Sequence, residues 1–388
     1  MIPVIYNVRS LMVRKTTTFA SVLGIALVVF VLAAALMLSE GIKRTLGKSG
    51  AADVAIVLRK GNDAELSSTI DDPQVGLILS APGVKKDAKG QPLGVGETLV
   101  VLALDKVGTT GISNVQFRGV TDNVMDFRGE TRLIDGRPLK PGSEEAMIGK
   151  RLRGRFKGME LGQKIELRKN HPATIVGVFE DGGSSFESEV WIDRDTLRAA
   201  FGRQGSVSSV RIKLEQPSQY ESFAAFVGQD KQLGLESFRE SDYYAKQSEG
   251  TSDFISIIGK LIAFFFGVGA MIGAMITMHA SVADRQREIG TLRAIGFSRS
   301  GILFSFLLEA LLLAMAGGVI GGAVSLSMGF VKFSMLNLQS WSEIVFSFTP
   351  TSAILIRSLF WAGVMGFFGG LFPAIRAARI SPVEAMRG

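Results

Sequence analysis

Four stretches of the chain are apolar over the roughly 20 residues that a helix needs to cross a bilayer. They are 17–39, 253–283, 301–329 and 353–373. The first and second are separated by a long polar segment, 40–252, and the third and fourth by the shorter loop 330–352. Phe19–Leu38 carries no charge at all. A basic start before an apolar run also fits a signal peptide, but this run is long for one and has three later companions. It is read as the first transmembrane helix. Basic residues gather at three places beside the spans: Arg9, Arg14 and Lys15 in segment 1–16; Arg285, Arg287, Arg293 and Arg299 in loop 284–300; and Arg376, Arg379 and Arg387 in tail 374–388. The excess of arginine and lysine on the cytoplasmic side places all three inside, and segments 40–252 and 330–352 outside.

The pattern within 40–252 changes period. Val54, Ile56 and Leu58 alternate as a half-buried strand does. Further strands are expected at 97–104, 114–120, 163–168, 173–179, 188–192 and 207–214. Asp193 can cap a helix through Ala200 that Gly202 ends. Strand 207–214, helix 218–228 and strand 234–239 read as a β-α-β unit. The fold class is therefore an α-helical membrane protein with four transmembrane helices and a large α+β extracytoplasmic domain between helices 1 and 2. Ser241 can cap a helix running through Tyr243 and Tyr244 into the second span; a break at Gly250 is the equal alternative.

Loop 284–300 is more patterned than a simple connection requires. Ile289, Leu292 and Ile295 recur at helical spacing, Gly296 can stop the helix in a left-handed turn, and Ser298 can cap the next one. An apolar stripe on a short charged helix predicts a docking surface for a cytoplasmic partner. The third span holds Gly317, Gly318, Gly321 and Gly322, a doubled small-xxx-small pattern that lets helix backbones approach closely. Gly269 with Gly273, and Gly366 with Gly370, repeat it. Glu309 is an intramembrane carboxylate near the cytoplasmic end of its span, within reach of an arginine of the loop. Pro373 is expected to end the fourth span. Ser381-Pro382-Val383-Glu384 is a capping box for a last short helix.

The loop residues Arg285, Glu288, Ile289, Gly290, Leu292, Arg293, Ala294 and Gly296 resemble the coupling-helix loop of MacB/FtsX-like (type VII) ABC transporter permeases. Phe372 to Arg387 resembles the C-terminal signature of that family, and Glu309 in Phe306-Leu-Leu-Glu-Ala310 is also a family feature. Phe117-Arg-Gly-Val120, Asp135-Gly-Arg137 and Ile175-Val-Gly-Val178 resemble the MacB-like periplasmic core domain. The resemblance implies a permease subunit in the inner membrane. A separate ABC ATPase subunit would bind ATP and Mg, and a second permease copy or paralogue would complete the complex. Closure of the ATPases would move the coupling helices, and the spans would pass that motion to the outer domain. The work so driven would be efflux with a periplasmic adaptor, lipoprotein or lipid export, or activation of cell-wall hydrolases. The alternative is a membrane-anchored sensor or adhesion protein that binds a ligand without ATP.

Composition narrows the chemistry. The net charge of +7 does not imply nucleic acid, because the cations nearest the spans collect on one face of the membrane; lipid is the expected contact. The chain has no cysteine and two histidines, which removes thiolate and histidine-rich metal sites. Gly41 to Ser49 imitates a phosphate-binding loop but has five residues between its glycines where four are needed, and it follows a membrane helix. The acidic pairs Glu144–Glu145, Glu180–Asp181 and Glu187/Glu189, and the cluster Arg151, Arg153, Arg155 and Lys157, read as solvated surface. No catalytic, cofactor or metal residue is assigned.

Overall fold

The computed structural model describes residues 15–229, 233–337 and 339–381. The expected basic residues Arg9, Arg14 and Arg387, and the capping box beyond Ser381, lie outside the described residues. The chain forms two compact units. One comprises the residues up to Gly41, Ser252–Lys332 and Ser347 onward; the other comprises Ile42–Thr251 and Phe333–Phe346.

The long helices are α1 (Lys15–Gly47), α2 (Glu240–Asp284), α4 (Arg299–Ser325) and α5 (Ser352–Arg379), with the short α3 (Gln286–Ala294) between α2 and α4. Among the described residues, four helices are long and apolar enough to cross a membrane. α1 outlasts the apolar run and continues through the polar residues to Gly47, and α2 is unbroken at Gly250. Glu240 and Asp242 in the first turn of α2 suit the positive end of a helix. Ser298 caps α4 by accepting from Gly301 N–H at 3.1 Å. Pro373 does not end α5, which continues to Arg379. Proline removes one N–H, which a membrane helix tolerates when its neighbours hold it. Here Ala374 and Ala377 are buried in a cluster with Met278, Val282, Ile302 and Phe306.

Small residues set the helix spacing. A Cβ added at Gly321 would stand 2.3 Å from the Ala26 carbonyl oxygen of α1, and one at Gly317 would stand 2.8 Å from that of Val22. Gly318 meets Ala362 of α5, and Gly366 and Gly370 of α5 meet Ala314 and Ala310 of α4. Gly322 has ordinary contact only, at 3.8 Å from Leu355. The expected pair Gly269 and Gly273 does not pack as expected: among the described residues nothing lies within 4 Å of an added Cβ there or at Gly24. These three line an open groove of about 510 Å³ between α1 and α2.

The second unit is an α/β domain. Its strands are β1 (Val54–Arg59), β2 (Ile70–Asp71), β3 (Gly94–Asp105), β4 (Ile112–Val120), β5 (Thr131–Gly136), β6 (Glu145–Gly149), β7 (Lys164–Arg168), β8 (His171–Asp181), β9 (Glu189–Asp193), β10 (Ser206–Val207), β11 (Ser209–Lys213), β12 (Leu235–Arg239), β13 (Lys332–Asn337) and β14 (Ser342–Ser347). Ten make one sheet in the order β12-β1-β11-β3-β4-β9-β6-β8-β5, with β7 paired to β8. β11, the helix Tyr220–Gln229 and β12 form the expected β-α-β unit, with both strands antiparallel to β1 between them. Asp193 caps the helix Arg194–Phe201 through Thr196 N–H, and Gly202 ends it in the left-handed conformation.

One face of this sheet is apolar. Val115, Phe117, Val190 and Ile192 pack on Leu197 and Ala200, and Val210 and Ile212 pack on Phe223 and Val227. The loop expected at 330–352 is a β-hairpin, β13–β14, and most of it belongs to the α/β domain.

Gly321→Leu is expected to abolish folded protein in fluorescence size-exclusion, because even one methyl there overpacks by about 1–3 kcal/mol. Gly322→Leu and Gly269→Leu are expected to give monodisperse protein with nearly unchanged melting temperatures.

Candidate functional sites in the loop helix and the sheet

Helix α3 is pinned to the helical unit from two sides. Ile289 is 1% exposed and sits in the cluster with Met278, Val282, Ile302 and Phe306. Arg285, just before α3, is paired with Glu288 and with Glu309 of α4, each at 3.0 Å, and lies over the Phe306 ring. The expected partnership of Glu309 with a loop arginine is thus present. Partial desolvation, with the Glu309 carboxylate nearby, pushes the Glu288 pKa up. Gly296 has φ +107°, and Phe297 N–H donates to the Leu292 carbonyl at 3.1 Å, which closes the helix. Arg293 donates to the Phe297 carbonyl at 3.4 Å, so it serves the helix end.

The expected apolar stripe is therefore divided. Ile289 and Gly290 face the helical unit, Leu292 is half-buried, and Ile295 is 72% exposed. The open face carries Arg287, Thr291, Ala294 and Ile295, one helical repeat apart. Glu288 is exposed beside it but engaged with Arg285.

The α/β domain contains a second arrangement, which the sequence reading missed. On the sheet face opposite the apolar one, Glu65, Glu97, Arg118, Glu189, Arg211 and Glu240 are all buried. Arg118 of β4 grips Glu189 of β9 with two bonds, at 2.7 and 2.9 Å, and reaches Glu97 of β3 at 2.5 Å and Glu65 at 3.2 Å. Arg211 of β11 contacts the same Glu97 oxygen and pairs with Glu65 and Glu240, both at 2.7 Å. Arg128 closes on the other Glu97 oxygen at 2.8 Å. Arg211 also donates to the Tyr244 hydroxyl, and the Tyr243 hydroxyl accepts from Glu65 N–H.

Burial works against ionising Glu97, but Arg211, Arg118 and Arg128 outweigh it and hold its pKa at about 2. Glu65 is likewise buried, and Arg118 and Arg211 hold it well below the carboxylate range. Burial opposes charge on the two guanidiniums as well, yet their carboxylate partners raise both pKa values. Burial raises Tyr243 and Tyr244, which stay neutral hydroxyls.

The pairs read as solvated surface are largely structural. Glu187 and Glu189 are buried, and Glu187 pairs with Arg151 at 3.0 Å. Arg155 and Lys106 bind Glu343 of the hairpin, and Arg151 donates to the Val345 carbonyl. Burial would raise Glu343, but bonds from Lys106, Ser113 and Ser334, and the Arg155 charge, hold it at about 2. Arg153 and Lys157 are exposed, as expected. The signal available in advance was an arginine inside each of two strong strands, Phe117-Arg118-Gly119 and Val210-Arg211-Ile212.

Comparison with known proteins agrees with both parts of the chain. Residues 18–229 match the model of the MacB-like periplasmic core domain, and 260–382 that of the FtsX-like permease C-terminal region. The chain belongs to the MacB/FtsX-like permease family. Permeases of this family are multi-pass membrane components of ABC export systems and work with ABC ATPases. Curated relatives include the macrolide export ATP-binding/permease protein MacB 2 of Aeromonas hydrophila, 25% identical over 97% of this chain and 59% of that one. The probable syringafactin export ATP-binding/permease protein SyfD of Pseudomonas syringae pv. tomato is 32% identical over 71% of this chain and 40% of that one. The chain spans about half the length of such relatives. Among solved structures, the periplasmic region of MacB from Actinobacillus actinomycetemcomitans matches 52% of this chain and 94% of its own, at 12% identity and a TM-score of 0.37. The extracellular domain of the ABC-type transporter YknZ matches 48% of this chain and 99% of its own, at 16% identity and a TM-score of 0.34.

The depressed Glu97 carries a pH signature. Its folded pKa lies below the ordinary 4.5, so its stabilisation is complete above pH 4.5 and is lost as pH falls toward about 2. That loss is expected to be about 3 kcal/mol. Thermal melts of the purified permease, followed by near-ultraviolet circular dichroism, are expected to be flat from pH 7 to 5 and to fall steeply below 4.5. Glu97→Gln is expected to destabilise by about 3–5 kcal/mol at neutral pH, because two buried guanidiniums lose their shared partner.

Proposed function

We propose that this chain is the permease subunit of a MacB/FtsX-like ABC exporter, driven by ATP hydrolysis in a separate ATPase subunit. In this reading, loop 284–300 and both termini face the cytoplasm. The α/β domain and the hairpin β13–β14 lie on the outer side of the cytoplasmic (inner) membrane. A second permease, identical or paralogous, completes the assembly. α3 receives the movement of the ATPase, and α1 and α2, each continuous into the α/β domain, carry it outward. Cargo need not thread between the spans. The names of the relatives, macrolide and syringafactin exporters, support efflux of a small amphiphile; lipid or lipoprotein export uses the same motion. A periplasmic adaptor is the natural further partner for efflux.

The observation that carries the reading is the mounting of α3. Ile289 and the Arg285–Glu309 pair fix it to the helical unit, while Ile295 is left bare. An apolar side chain so exposed on a short pinned helix is what a docking contact needs.

The decisive substitution is Ile295→Asp, at a side chain exposed among the described residues. The expected result is normal insertion with loss of ATPase co-purification by about tenfold or more, since a carboxylate would be buried unpaired at the contact. Leu292→Asp, at a half-buried position, is expected to weaken the contact and the folded state together. If Ile295→Asp leaves association and ATP-driven export intact, α3 is not the coupling element and the sensor or adhesion reading replaces this one.

Orientation has its own test, made simple because the chain has no cysteine. In intact cells an impermeant thiol reagent is expected to label Lys157→Cys and to leave Thr291→Cys unlabelled.

A further inference from the structure

One loop of the α/β domain, Gly182–Glu189, receives three of the four segments by which that domain joins the long helices: those after α1, before α2 and at β14. Its first two residues, Gly182 and Gly183, have φ +57° and +88°, a turn that glycine alone makes without strain. At the end of α1, Lys48 donates to the Gly182 carbonyl at 2.5 Å, and the Ser49 hydroxyl accepts from Ser185 N–H at 2.9 Å and bonds the Ser185 hydroxyl at 2.8 Å. At the start of α2, the Tyr244 ring meets Phe186 edge-on at 5.9 Å. The hairpin between α4 and α5 is held through Val345: its N–H donates to the Ser188 hydroxyl at 3.2 Å, and its carbonyl accepts from Arg151. Arg151 is itself fixed by Glu187 at 3.0 Å and by the Gly183 carbonyl at 3.0 Å. The loop then becomes β9, which lies between β4 and β6 inside the sheet, and Glu189 grips Arg118.

We propose that Gly182–Glu189 is the junction through which motion of the helices enters the sheet, with Arg151 the positioning residue that ties in the hairpin. The inference rests on the mechanical reading above and adds the place where its separate inputs combine. Hydrogen bonds of this number and burial would also serve stability alone, so the test needs a readout that stability does not move.

The permease and its ATPase are reconstituted in nanodiscs, and hydrogen exchange is followed with and without ATP and vanadate. In the native chain, nucleotide is expected to change exchange both in α3 and in strands β8 and β9. Arg151→Ala removes the tie to Val345 but leaves Glu187 with Lys150 at 3.1 Å and with the N–H groups of Asp181 and Gly183. It is expected to keep the melting temperature and the response in α3, and to reduce the response in β8 and β9 by roughly fivefold or more. Arg151→Lys is expected to fall between. Ser188→Ala, which removes only one bond to the hairpin, is the fallback should Arg151→Ala melt early, and is expected to reduce the same response in smaller measure. A Ser49→Cys, Ser185→Cys pair, oxidised, is expected to transmit fully, because the junction stays closed through the cycle. Full transmission by Arg151→Ala or, where that variant melts early, by Ser188→Ala overturns the junction. So does loss of transmission on oxidising the cysteine pair. No sheet response in the native chain would instead overturn the mechanical reading itself.

Discussion

Arg118 and Arg211 meet on a single oxygen of Glu97 in a place closed to water. The domain is organised by that constraint. A buried charge left without its partner costs several kcal/mol, so the contributing segments are stable only together. Those segments are strands β3, β4, β9 and β11, the turn at Glu65 and the first turn of α2. The apolar side of the same sheet needs only volume and hydrophobicity; the charged side needs each partner at one distance and angle. A polar core of this kind resists sliding of one strand past another.

The helical unit solves the opposite problem. Lipid gives helices no reason to associate, so backbone proximity must do it. Gly317, Gly318 and Gly321 on one helix and Gly366 and Gly370 on another bring carbonyl oxygens and alanine methyl groups to distances that no side chain would permit. Arg285 and Glu309 add one charge pair where the unit meets α3.

The helices were legible from apolar runs, although their ends were not. α1 continues to Gly47 and α5 through Pro373 because neighbouring contacts, not hydropathy, decide where a helix stops. The sequence pattern located most strands, but β2, β5, β6 and the hairpin β13–β14 escaped it. The glycine pattern was partly legible. Spacing alone did not tell Gly321, pressed on a carbonyl, from Gly269, which faces a groove. The charge network was the least legible feature. Alternation says which residues share a face; it does not say what covers that face. What covers Arg118 and Arg211 is Tyr243, Tyr244 and Glu65, which come from distant parts of the chain. The same blindness divided the stripe of α3, since Ile289 and Ile295 look equivalent without the helices beside them.

Glu240 bonds Ala51 N–H at 3.1 Å as well as Arg211, so the point where the chain enters the α/β domain lies beside the point where it leaves. Neighbouring ends are what allow a domain to be inserted into, or exchanged from, a host chain. The α/β domain can therefore be regarded as a cassette inserted into a four-helix host. The exchange carries one condition. Residues 333–346 belong to the cassette although they are encoded far downstream, so a chimera made by swapping only 42–251 would strand Lys106 and Arg155 without Glu343. Recombination within this family would then be expected to respect a two-part boundary rather than a single break.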